Sequence, residues 1–449
     1  MSSTEDAIAK HQSRLAAAGV KYLFAQFTDI HGVAKGKLVP LAHLADIVHP
    51  GAGFSGPSIW GTGLPRSGAR SEYYGRADLS TLQAMPWMPG YARVVLDGHV
   101  AGAPFALCPR QILRRQVARL AERGWTLNAG LEPEFFLLQK GPGGADAEPG
   151  DRLEKPSYDS QSLLRRRGFL EKLTASLDAC GLRVFQIDHE DANGQFEVNY
   201  HYADALRAAD NFMLFKMAAQ HIAEEEDLLF SMMPKPFAER PGSGLHFHLS
   251  LADAAGAPLF AAASDAYGLG LSALAYHFMA GLLLHAPALT ALCAPTVNSY
   301  KRLMCGASLS GTSWAPAHIG YGDNNRSTVA RVVHQRIEWR LPDSAANPYL
   351  ALAGVIAAGL DGVERALAAG PPVNRDLYLM TDAERAALGL AMLPQNLGAA
   401  SAALAADAVL AQALGADFVA EYVALKNAEW NEYSRHVSAW ETARYLQRF

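Results

Sequence analysis

The stretch Ala129-Gly-Leu-Glu-Pro-Glu-Phe-Phe-Leu-Leu138 decides how this chain is organised. Side chains alternate between the two faces of a β-strand, so Glu132 and Glu134 are expected on one face. The apolar run from Phe135 to Leu138 suits a buried strand. Two carboxylates at the mouth of a buried strand repel each other unless a cation lies between them. Oxygen ligands favour Mg²⁺ or Mn²⁺. A pair of solvated surface acids is the alternative interpretation.

Length and composition narrow the class of protein. A chain of 449 residues predicts two unequal domains, or one large core with an added module. Half of the residues are apolar and 18% are charged, which is typical of a globular protein. A net charge of −5 gives no reason to expect a nucleic-acid partner. The four cysteines lie far apart without a CxxC motif, which argues against a zinc ribbon or disulfide framework and fits a reducing compartment.

The sequence also predicts where the protein resides. Its first residues do not have the pattern of a signal peptide. The most apolar segment, near residues 272–289, is interrupted by His277 and His285 and is therefore expected to be a buried helix and not a membrane span. We therefore expect a cytoplasmic protein without a membrane partner.

Residue patterns predict the α+β fold class. Short strands and turns suggest a small β-rich domain over residues 1–105, and residues 106–449 form the large second domain. Residues 140–156 are expected to be an exposed loop. Helices packed on a mostly antiparallel sheet are expected in the large domain. The predicted helices there begin at Pro109 and continue near residues 162–179, 204–226, 267–289, 347–369, 397–413 and 416–446, with strands at 182–187 and 245–251.

Polar pairs recur on strands that would otherwise be apolar. Glu190 and Glu197 flank a turn, His246 and His248 share a strand face, and Glu338 shares one with Arg340. A single buried Glu or His is more often structural, but several such pairs are harder to explain in that way. A zinc hydrolase would carry more histidine and fewer glutamates. Two divalent-cation sites are therefore predicted, with the ligands Glu132, Glu134, Glu190, Glu197, His246 and Glu338.

Arginines are concentrated in one later stretch of the chain. A solvated basic face is the alternative interpretation, but these arginines alternate with apolar residues in a chain of negative net charge. Arginine forks opposite a metal cluster suit a polyphosphate held between them. The sequence contains no Walker loop, kinase glycine loop or Rossmann fingerprint. Metal-dependent phosphoryl transfer from a nucleotide is therefore predicted, with the candidate arginines Arg302, Arg326, Arg331, Arg336 and Arg340.

Taken together, the motifs resemble those of the glutamine synthetase family over nearly the whole chain. They are Glu132-Pro-Glu134, His189-Glu190 with Gly194-Gln-Phe-Glu197, Gly242-Ser-Gly-Leu-His-Phe-His248, Asn298-Ser-Tyr-Lys-Arg302, Asn325-Arg326-Ser and Arg336-Ile-Glu-Trp-Arg340. The resemblance implies a β-grasp-like N-terminal domain and a catalytic domain with a curved antiparallel sheet. It also implies a homo-oligomer of stacked hexameric rings, a dodecamer, whose active sites are shared between subunits. The glycine-rich segment 51–63 would then reach the neighbouring subunit's site.

The resemblance also implies a role for each matching residue. Two Mg²⁺ or Mn²⁺ ions would be held, one by Glu134, Glu190 and Glu197, the other by Glu132, His246 and Glu338. L-Glutamate would be held by Gly242, Arg302 and Arg340, and the ATP side would use His248, Ser250, Arg326, Arg331 and Arg336. Tyr158 matches the tyrosine at the amine site. ATP would phosphorylate the γ-carboxylate of glutamate, and an amine would then displace phosphate.

The sequence departs from ammonia-using members at the amine side. Ser55 stands where they carry an aspartate, although Ser58 matches their last loop serine. The segment from Gly306 to Pro316, which matches their glutamate-bearing flap, contains no acid and includes Trp314. Pro241 replaces the asparagine before the Gly-Ser-Gly motif. Ammonium is bound by carboxylates, whereas an alkylammonium has fewer donors and some apolar surface.

These departures favour the methylamine-using branch of the family. An ammonia-using enzyme and a non-catalytic oligomer are the alternatives, and retention of the metal ligands and arginines argues against the latter. Tyr378 lies near a position that is modified in some relatives, but an ordinary loop tyrosine is the simpler interpretation.

Overall fold

Two β-sheets, one on either side of residue 105, organise the chain in the computed structural model. The structure describes residues 2–141, 144–306 and 308–449. The first sheet has the strand order β2-β1-β5-β4-β3, with β6 paired to β5. Only the β1–β5 pair in it is parallel. Its strands are β1 (Tyr22–Thr28), β2 (Ala34–Pro40), β3 (Ala52–Ser55), β4 (Glu72–Ala84), β5 (Tyr91–Val100) and β6 (Ala103–Pro104).

The second sheet has ten strands and carries the polar motifs. Its order is β14-β15-β16-β13-β7-β10-β9, with β8, β11 and β12 also paired to β7. All pairs except β14–β15 are antiparallel. The strands are β7 (Trp125–Gly141), β8 (Gly144–Asp146), β9 (Val184–His189), β10 (Gln195–Tyr200), β11 (Ala203–Asp204), β12 (Leu229–Ser231), β13 (Leu245–Asp253), β14 (His318–Asp323), β15 (Thr328–Val333) and β16 (Arg336–Trp339).

Helices cover the second sheet, which confirms the α+β class. α3 and α6 pack on β7, and the almost wholly buried α10 packs against α3, α6, α7, α8 and α13. The helices are α1 (Ser2–Ala17), α2 (Leu44–Val48), α3 (Pro109–Ala121), α4 (Ser160–Arg165), α5 (Arg167–Ala179), α6 (Ala205–Glu225), α7 (Ala273–Leu284), α8 (Ala286–Cys293), α9 (Ser299–Arg302), α10 (Pro348–Glu364), α11 (Asp382–Ala387), α12 (Leu397–Ala406), α13 (Ala408–Leu414), α14 (Ala416–Arg435) and α15 (Ala439–Tyr445). Division of the chain at residue 105 stays a prediction.

Strand β7 changes partner at Pro133. Residues 125–133 pair with β13, whereas Glu134 pairs with Glu197 of β10. Proline has no backbone N–H to give to a neighbouring strand, so it suits the position at which one partner ends and the next begins. The predicted Glu-Pro-Glu motif therefore places one glutamate beside β13 and the other beside β10.

Buried charges tie the two sheets together. Arg110 on α3 donates to Asp97 of β5 at 2.8 Å, to Asp78 of β4 at 2.9 Å and to Asp210 of α6 at 2.9 and 2.8 Å. The Tyr349 hydroxyl donates to the same Asp210 at 2.7 Å. A buried arginine whose donors all meet carboxylates is satisfied only in one arrangement. This network fixes the first sheet against the helices that support the second.

Several predicted elements are corrected by the structure. The segment near 267–289 is two helices, α7 and α8, which bend at His285. There, His285 contacts Asp361 at 3.0 Å and Asp407 at 2.6 Å, and Pro287 opens α8. The helices predicted at 162–179, 397–413 and 416–446 are likewise each divided in two, at Arg166, at Asp407 and at residues 436–438. Within the predicted loop 140–156, β8 pairs with the end of β7, and residues 142–143 lie outside the described part.

Within the described residues, no single helix is both long enough and apolar enough to cross a membrane. Two helix pairs, α7 with α8 and α12 with α13, reach the required length and composition only when taken together, and they bend by 74° and 80°.

Candidate active site

Most of the predicted site residues converge on one cavity of about 630 Å³. Strands β7, β10, β13, β15 and β16 supply most of its polar lining, because the motifs lie at neighbouring positions across these strands. The predicted residues that line it are Glu132, Glu134, Tyr158, Glu190, Glu197, Gly242, His246, His248, Arg302, Arg326, Arg331, Arg336, Glu338 and Arg340.

One group of ligands mixes imidazole with carboxylates, and we call Glu132, His246 and Glu338 the mixed cluster. His246 lies opposite Glu132 in the β13–β7 register. Its Nδ1 lies 3.8 Å from Glu132 Oε2 and 3.6 Å from Glu338 Oε1. One ligand atom from each of the three residues lies within 4.8 Å of the others. This spacing and donor set fit one divalent cation.

Two arginines and a histidine of the protein itself contact the carboxylates of the mixed cluster. Arg331 and Arg340 donate to the two oxygens of Glu338 at 2.5 and 2.6 Å, and His248 Nε2 lies 2.9 Å from Glu132 Oε1. Burial opposes ionisation of Glu338, but Arg340 and the other cations outweigh it and hold its pKa at about 2. The carboxylates of this cluster are therefore charged and already paired.

A second group contains only acids, and we call Glu134, Glu190 and Glu197 the acidic cluster. Glu134 accepts from the Gln195 amide at 3.0 Å and from the Gly244 N–H at 2.8 Å. Asn199 donates to Glu197 at 2.8 Å. Among the described residues, none of these three carboxylates forms an ion pair with a lysine, arginine or histidine.

The acidic cluster therefore has excess negative charge. Burial, and then the charge of Glu134, raise the pKa of Glu190 to about 8. Burial and the neighbouring carboxylates also raise the pKa of Glu197 well above its ordinary range. Like charges that share a buried site disfavour ionisation unless a cation is present. All three are hard oxygen donors of the kind that Mg²⁺ or Mn²⁺ prefers, but among the described residues only the mixed cluster brings one ligand atom from each of three residues within 4.8 Å of the others, so a second cation site stays a prediction.

Glycines allow the backbone to approach the predicted glutamate site closely. A Cβ on Gly242 would lie 2.4 Å from Pro234 O, so only glycine fits there. A Cβ on Gly244 would lie 2.9 Å from the Arg302 guanidinium and 3.0 Å from the Glu134 carboxylate. Arg302 itself is buried and donates to the carbonyls of Leu341 and Arg340 at 3.0 and 3.1 Å. The sequence analysis did not single out Gly244, although it lies inside the Gly-Ser-Gly motif.

The flap segment and the Tyr158 loop meet at Asp191. The Ser310 hydroxyl and the Trp314 indole donate to Asp191 Oδ2 at 2.6 and 2.9 Å, and the Ser157 hydroxyl donates to Oδ1. Asp191 directly follows the His189-Glu190 motif, and the sequence assigned it no role. Pairing with Trp314 is a long-range contact that no local pattern indicates. Ala307 of the flap lies outside the described residues.

Two predicted site residues lie outside the cavity of their own chain. Ser55 ends β3 in the first sheet, is exposed, and accepts a hydrogen bond from Ser58 at 3.0 Å. Ser250 lies two residues beyond His248 on β13, opposite Asn128, and is not among the lining residues. Tyr378 donates to the Ala315 carbonyl at 2.9 Å, so it has a structural partner beside the flap.

Comparison with known proteins supports the resemblance drawn from the motifs. The family model described as "Glutamine synthetase, catalytic domain" matches residues 106–445. The chain belongs to the glutamine synthetase family. The prediction of an ATP-dependent ligase of this family is thereby confirmed.

Individual members of the glutamine synthetase family resemble the chain over most of its length. The glutamate–methylamine ligase of Methyloversatilis universalis is 53% identical over 431 residues, which cover 96% of this chain and 97% of that protein. The glutamine synthetase of Rhizobium meliloti is 40% identical over 428 residues, covering 94% and 96%. A solved structure described as "GmaS/ADP complex-Conformation 1" has a TM-score of 0.90 and 42% identity, covering 97% of this chain and 99% of its own.

Proposed function

We propose that this protein joins methylamine to the γ-carboxylate of L-glutamate at the expense of ATP. The reaction passes through γ-glutamyl phosphate and gives γ-glutamylmethylamide, ADP and phosphate. The observation that carries the proposal is the amine side of the cavity, where Trp314 lies in a flap without acids. The 53% identity to a glutamate–methylamine ligase supports the same assignment.

The two clusters suit the metal-dependent half of this reaction. Glu134, Glu190 and Glu197 would hold one divalent cation, and Glu132, His246 and Glu338 another. Bound Mg²⁺ or Mn²⁺ would neutralise phosphate charge and orient the transferred group. Three arginines would bind the phosphates together with the cations, namely Arg326, Arg331 and Arg336. His248 and Ser250 would contact the nucleotide.

Glutamate would bind at the part of the cavity that Arg302 and Arg340 line. Arg302 and Arg340 supply guanidinium groups, and Gly242 lets the Arg302 side chain pack directly against its backbone. Arg340 now donates to Glu338 at 2.6 Å, so a bound glutamate carboxylate would compete with Glu338 for it. Pro241 also lines the cavity, in place of the family's asparagine.

We propose that the active sites are shared within stacked hexameric rings, a dodecamer. Ser55 and its loop are exposed and lie away from the cavity of their own chain, as expected if they serve a neighbour. Trp60 in that loop is 65% exposed. The C-terminal segment is also apolar and uncovered, since Trp440, Leu446 and Phe449 are 62%, 73% and 96% exposed. A second copy of the chain is the natural cover for both surfaces.

Subunit complementation tests the shared site. A variant lacking residues 54–58 of the loop and a Glu338→Gln variant should each be inactive alone. When mixed and reassembled, the two should regain part of the wild-type activity, because some sites then combine an intact loop with intact ligands. If the mixture of the two variants stays inactive, the sites are not shared. Full specific activity of wild-type enzyme in a monomer fraction would also contradict shared sites.

The choice of amine is tested by steady-state kinetics. We expect a kcat/KM for methylamine at least about 10-fold above that for ammonia, because each charge-assisted hydrogen bond that ammonium loses removes about 1.5–3 kcal/mol. Burial of one methyl group returns only about 0.8 kcal/mol. Ser55→Asp should shift the ratio toward ammonia, whereas Ser13→Asp, which adds the same charge on the exposed face of α1, should not. The proposal is wrong if the wild-type enzyme has the higher kcat/KM for ammonia when both amines are compared at equal free-base concentration.

A further inference from the structure

We propose that Asp191 is a positioning residue for the amine half of the reaction. It fixes Trp314 and Tyr158 at one end of the cavity, so that the two rings form the wall for the amine's alkyl group and keep water from the acyl phosphate. This inference rests on the proposed function, which names the reaction but gives Asp191 no part in it.

The hydrogen bonds of Asp191 join two segments that are distant in sequence. Its Oδ2 accepts from Ser310 at 2.6 Å and from the Trp314 indole at 2.9 Å, and both donors belong to the flap. Its Oδ1 accepts from Ser157, the residue before Tyr158. One side chain therefore holds the flap against the Tyr158 loop across the mouth of the cavity.

Backbone conformation gives an independent observation. Trp314 and Tyr158 have φ values of 52° and 65°, in the left-handed region that bulky side chains rarely adopt. Such conformations persist where surrounding contacts hold them, and they are concentrated at functional sites. The contacts here are the bonds to Asp191 and the bond from Tyr158 N–H to the His189 carbonyl at 2.8 Å.

The position of the two rings suits an alkylamine. Trp314 is 43% exposed and Tyr158 is 72% exposed, so neither ring is part of the hydrophobic core. Both line the cavity, together with Phe185, beside the acidic cluster. Aromatic faces at this point supply apolar surface for a methyl group and attract a cation.

The chemistry of the carboxylate explains why an acid stands at position 191. A carboxylate only accepts hydrogen bonds, and three donors already meet its two oxygens. It is therefore largely occupied, and it acts on the amine through the residues it holds. An asparagine could keep its oxygen toward the flap donors and turn its N–H₂ toward Ser157, whose hydroxyl can accept, but it would lose the negative charge that strengthens all three bonds and would hold both segments more weakly.

The experiment compares Asp191→Asn, Trp314→Phe and the double variant in the full assembled enzyme. For each, the KM values for methylamine, glutamate and ATP are measured, together with the ratio of phosphate released to amide formed. Asp191→Asn should raise the methylamine KM at least 10-fold and raise the phosphate-to-amide ratio, because water then reaches the acyl phosphate. The KM values for glutamate and ATP should stay within twofold. Trp314→Phe should change both quantities in the same direction, and the double variant should be little worse than Asp191→Asn.

Control variants and stability measurements distinguish this positioning role from a general loss of folding or assembly. Asp46→Asn makes the same chemical change at an exposed aspartate of helix α2, away from the cavity. Thermal unfolding and oligomer size are checked for every variant. Ser310→Ala, which removes one donor only, should give a smaller change in the same direction if Asp191→Asn does not assemble. A fall in kcat with an unchanged amine KM and unchanged coupling would overturn the proposal, and so would effects that multiply in the double variant.

Measurements with both methylamine and ammonia distinguish a failure of the proposed function from a failure of the positioning role of Asp191. If wild-type enzyme prefers ammonia, the proposed function fails. A rise in the phosphate-to-amide ratio of Asp191→Asn with ammonia would still support the positioning role, whereas full coupling with both amines would overturn it.

Discussion

Strand β7 supplies Glu132 to the mixed cluster and Glu134 to the acidic cluster, and the two clusters differ in whether side chains of the protein offset their negative charge. In the mixed cluster, Glu338 lies between Arg331 and Arg340, and its pKa is held at about 2. In the acidic cluster, Glu190 and Glu197 lie near Glu134 and their pKa values are raised, to about 8 for Glu190. Both clusters consist of residue types that suit hard cations, yet only the mixed cluster pairs with arginines among the described residues.

A bound cation would therefore have a different effect at each cluster. At the acidic cluster a divalent ion relieves repulsion that the fold leaves in place, so binding there stabilises the protein as well as the reaction. At the mixed cluster the ion and the substrate's negative groups compete with arginines for the same carboxylate. Release of Arg331 and Arg340 from Glu338 would then make them available to phosphate and glutamate.

The largest expected effect concerns activity, and it tests whether both clusters are catalytic. Glu197→Gln and Glu338→Gln should each lower turnover at least about 1,000-fold, since a bound metal supplies several kcal/mol of transition-state stabilisation. The measurement is amide formation at saturating substrates across a Mg²⁺ titration. Glu171→Gln, an exposed glutamate of α5, is the matched control. Near wild-type turnover in either cluster variant at millimolar Mg²⁺ would refute its assignment as a ligand.

The next effect concerns stability without metal, and here the two clusters should respond with opposite sign. Glu338→Gln removes a buried carboxylate that pairs with two arginines, which should destabilise the protein by about 3 kcal/mol. Glu197→Gln removes a buried acid whose ionisation is disfavoured and which must take up a proton on folding at neutral pH, so it should raise the midpoint of thermal unfolding by a few degrees. Thermal unfolding in EDTA measures both. Midpoints that move in the same direction would break the contrast between the clusters.

The smallest effect is the pH dependence of metal-free stability. Glu190 has a folded-state pKa raised from its ordinary 4.5 to about 8, so its contribution to stability is complete below pH 4.5 and is lost as pH rises toward 8. Glu338 has a pKa lowered from 4.5 to about 2, so its contribution is present above pH 4.5 and is lost as pH falls toward 2. Thermal unfolding in EDTA should therefore show a loss of stability from pH 5 to 8 that Glu190→Gln reduces, with Glu197 accounting for part of what remains. Saturating Mg²⁺ should also flatten it, and an unchanged slope in Glu190→Gln would contradict the assigned pKa.

Element types were predicted better than element ends. The strand around Glu132 and the helix beginning at Pro109 follow from local apolar patterns and a proline at a helix start, and both are present. The single helix predicted near 267–289 was wrong, because the bend at His285 depends on Asp361 and Asp407 from other helices. Local propensity does not reveal a partner that is more than 70 residues away.

The residues that line the cavity were predicted better than their charge state. Same-face polar pairs on apolar strands are visible in the sequence because the side-chain period of a strand is two, and those residues do line one cavity. Arg331 meets Glu338 because the β15–β16 register places them opposite each other. The β10–β7 register instead places Glu197 opposite Glu134, and none of the described lysines, arginines or histidines forms an ion pair with Glu197. Asp191 was missed for the same reason, since its partner Trp314 is brought to it only by folding.

The sequence by itself determined the chemistry available to this protein: the carboxylates, the histidines, the arginines and the family motifs that contain them. It also determined that the flap carries no acid, which sets the expected amine. The tertiary structure decided which charges neutralise one another, because electrostatic interactions depend on distance and burial and not on position along the chain. It also placed Ser55 outside its own chain's cavity, and it brought Asp191 to Trp314, which no local pattern could indicate.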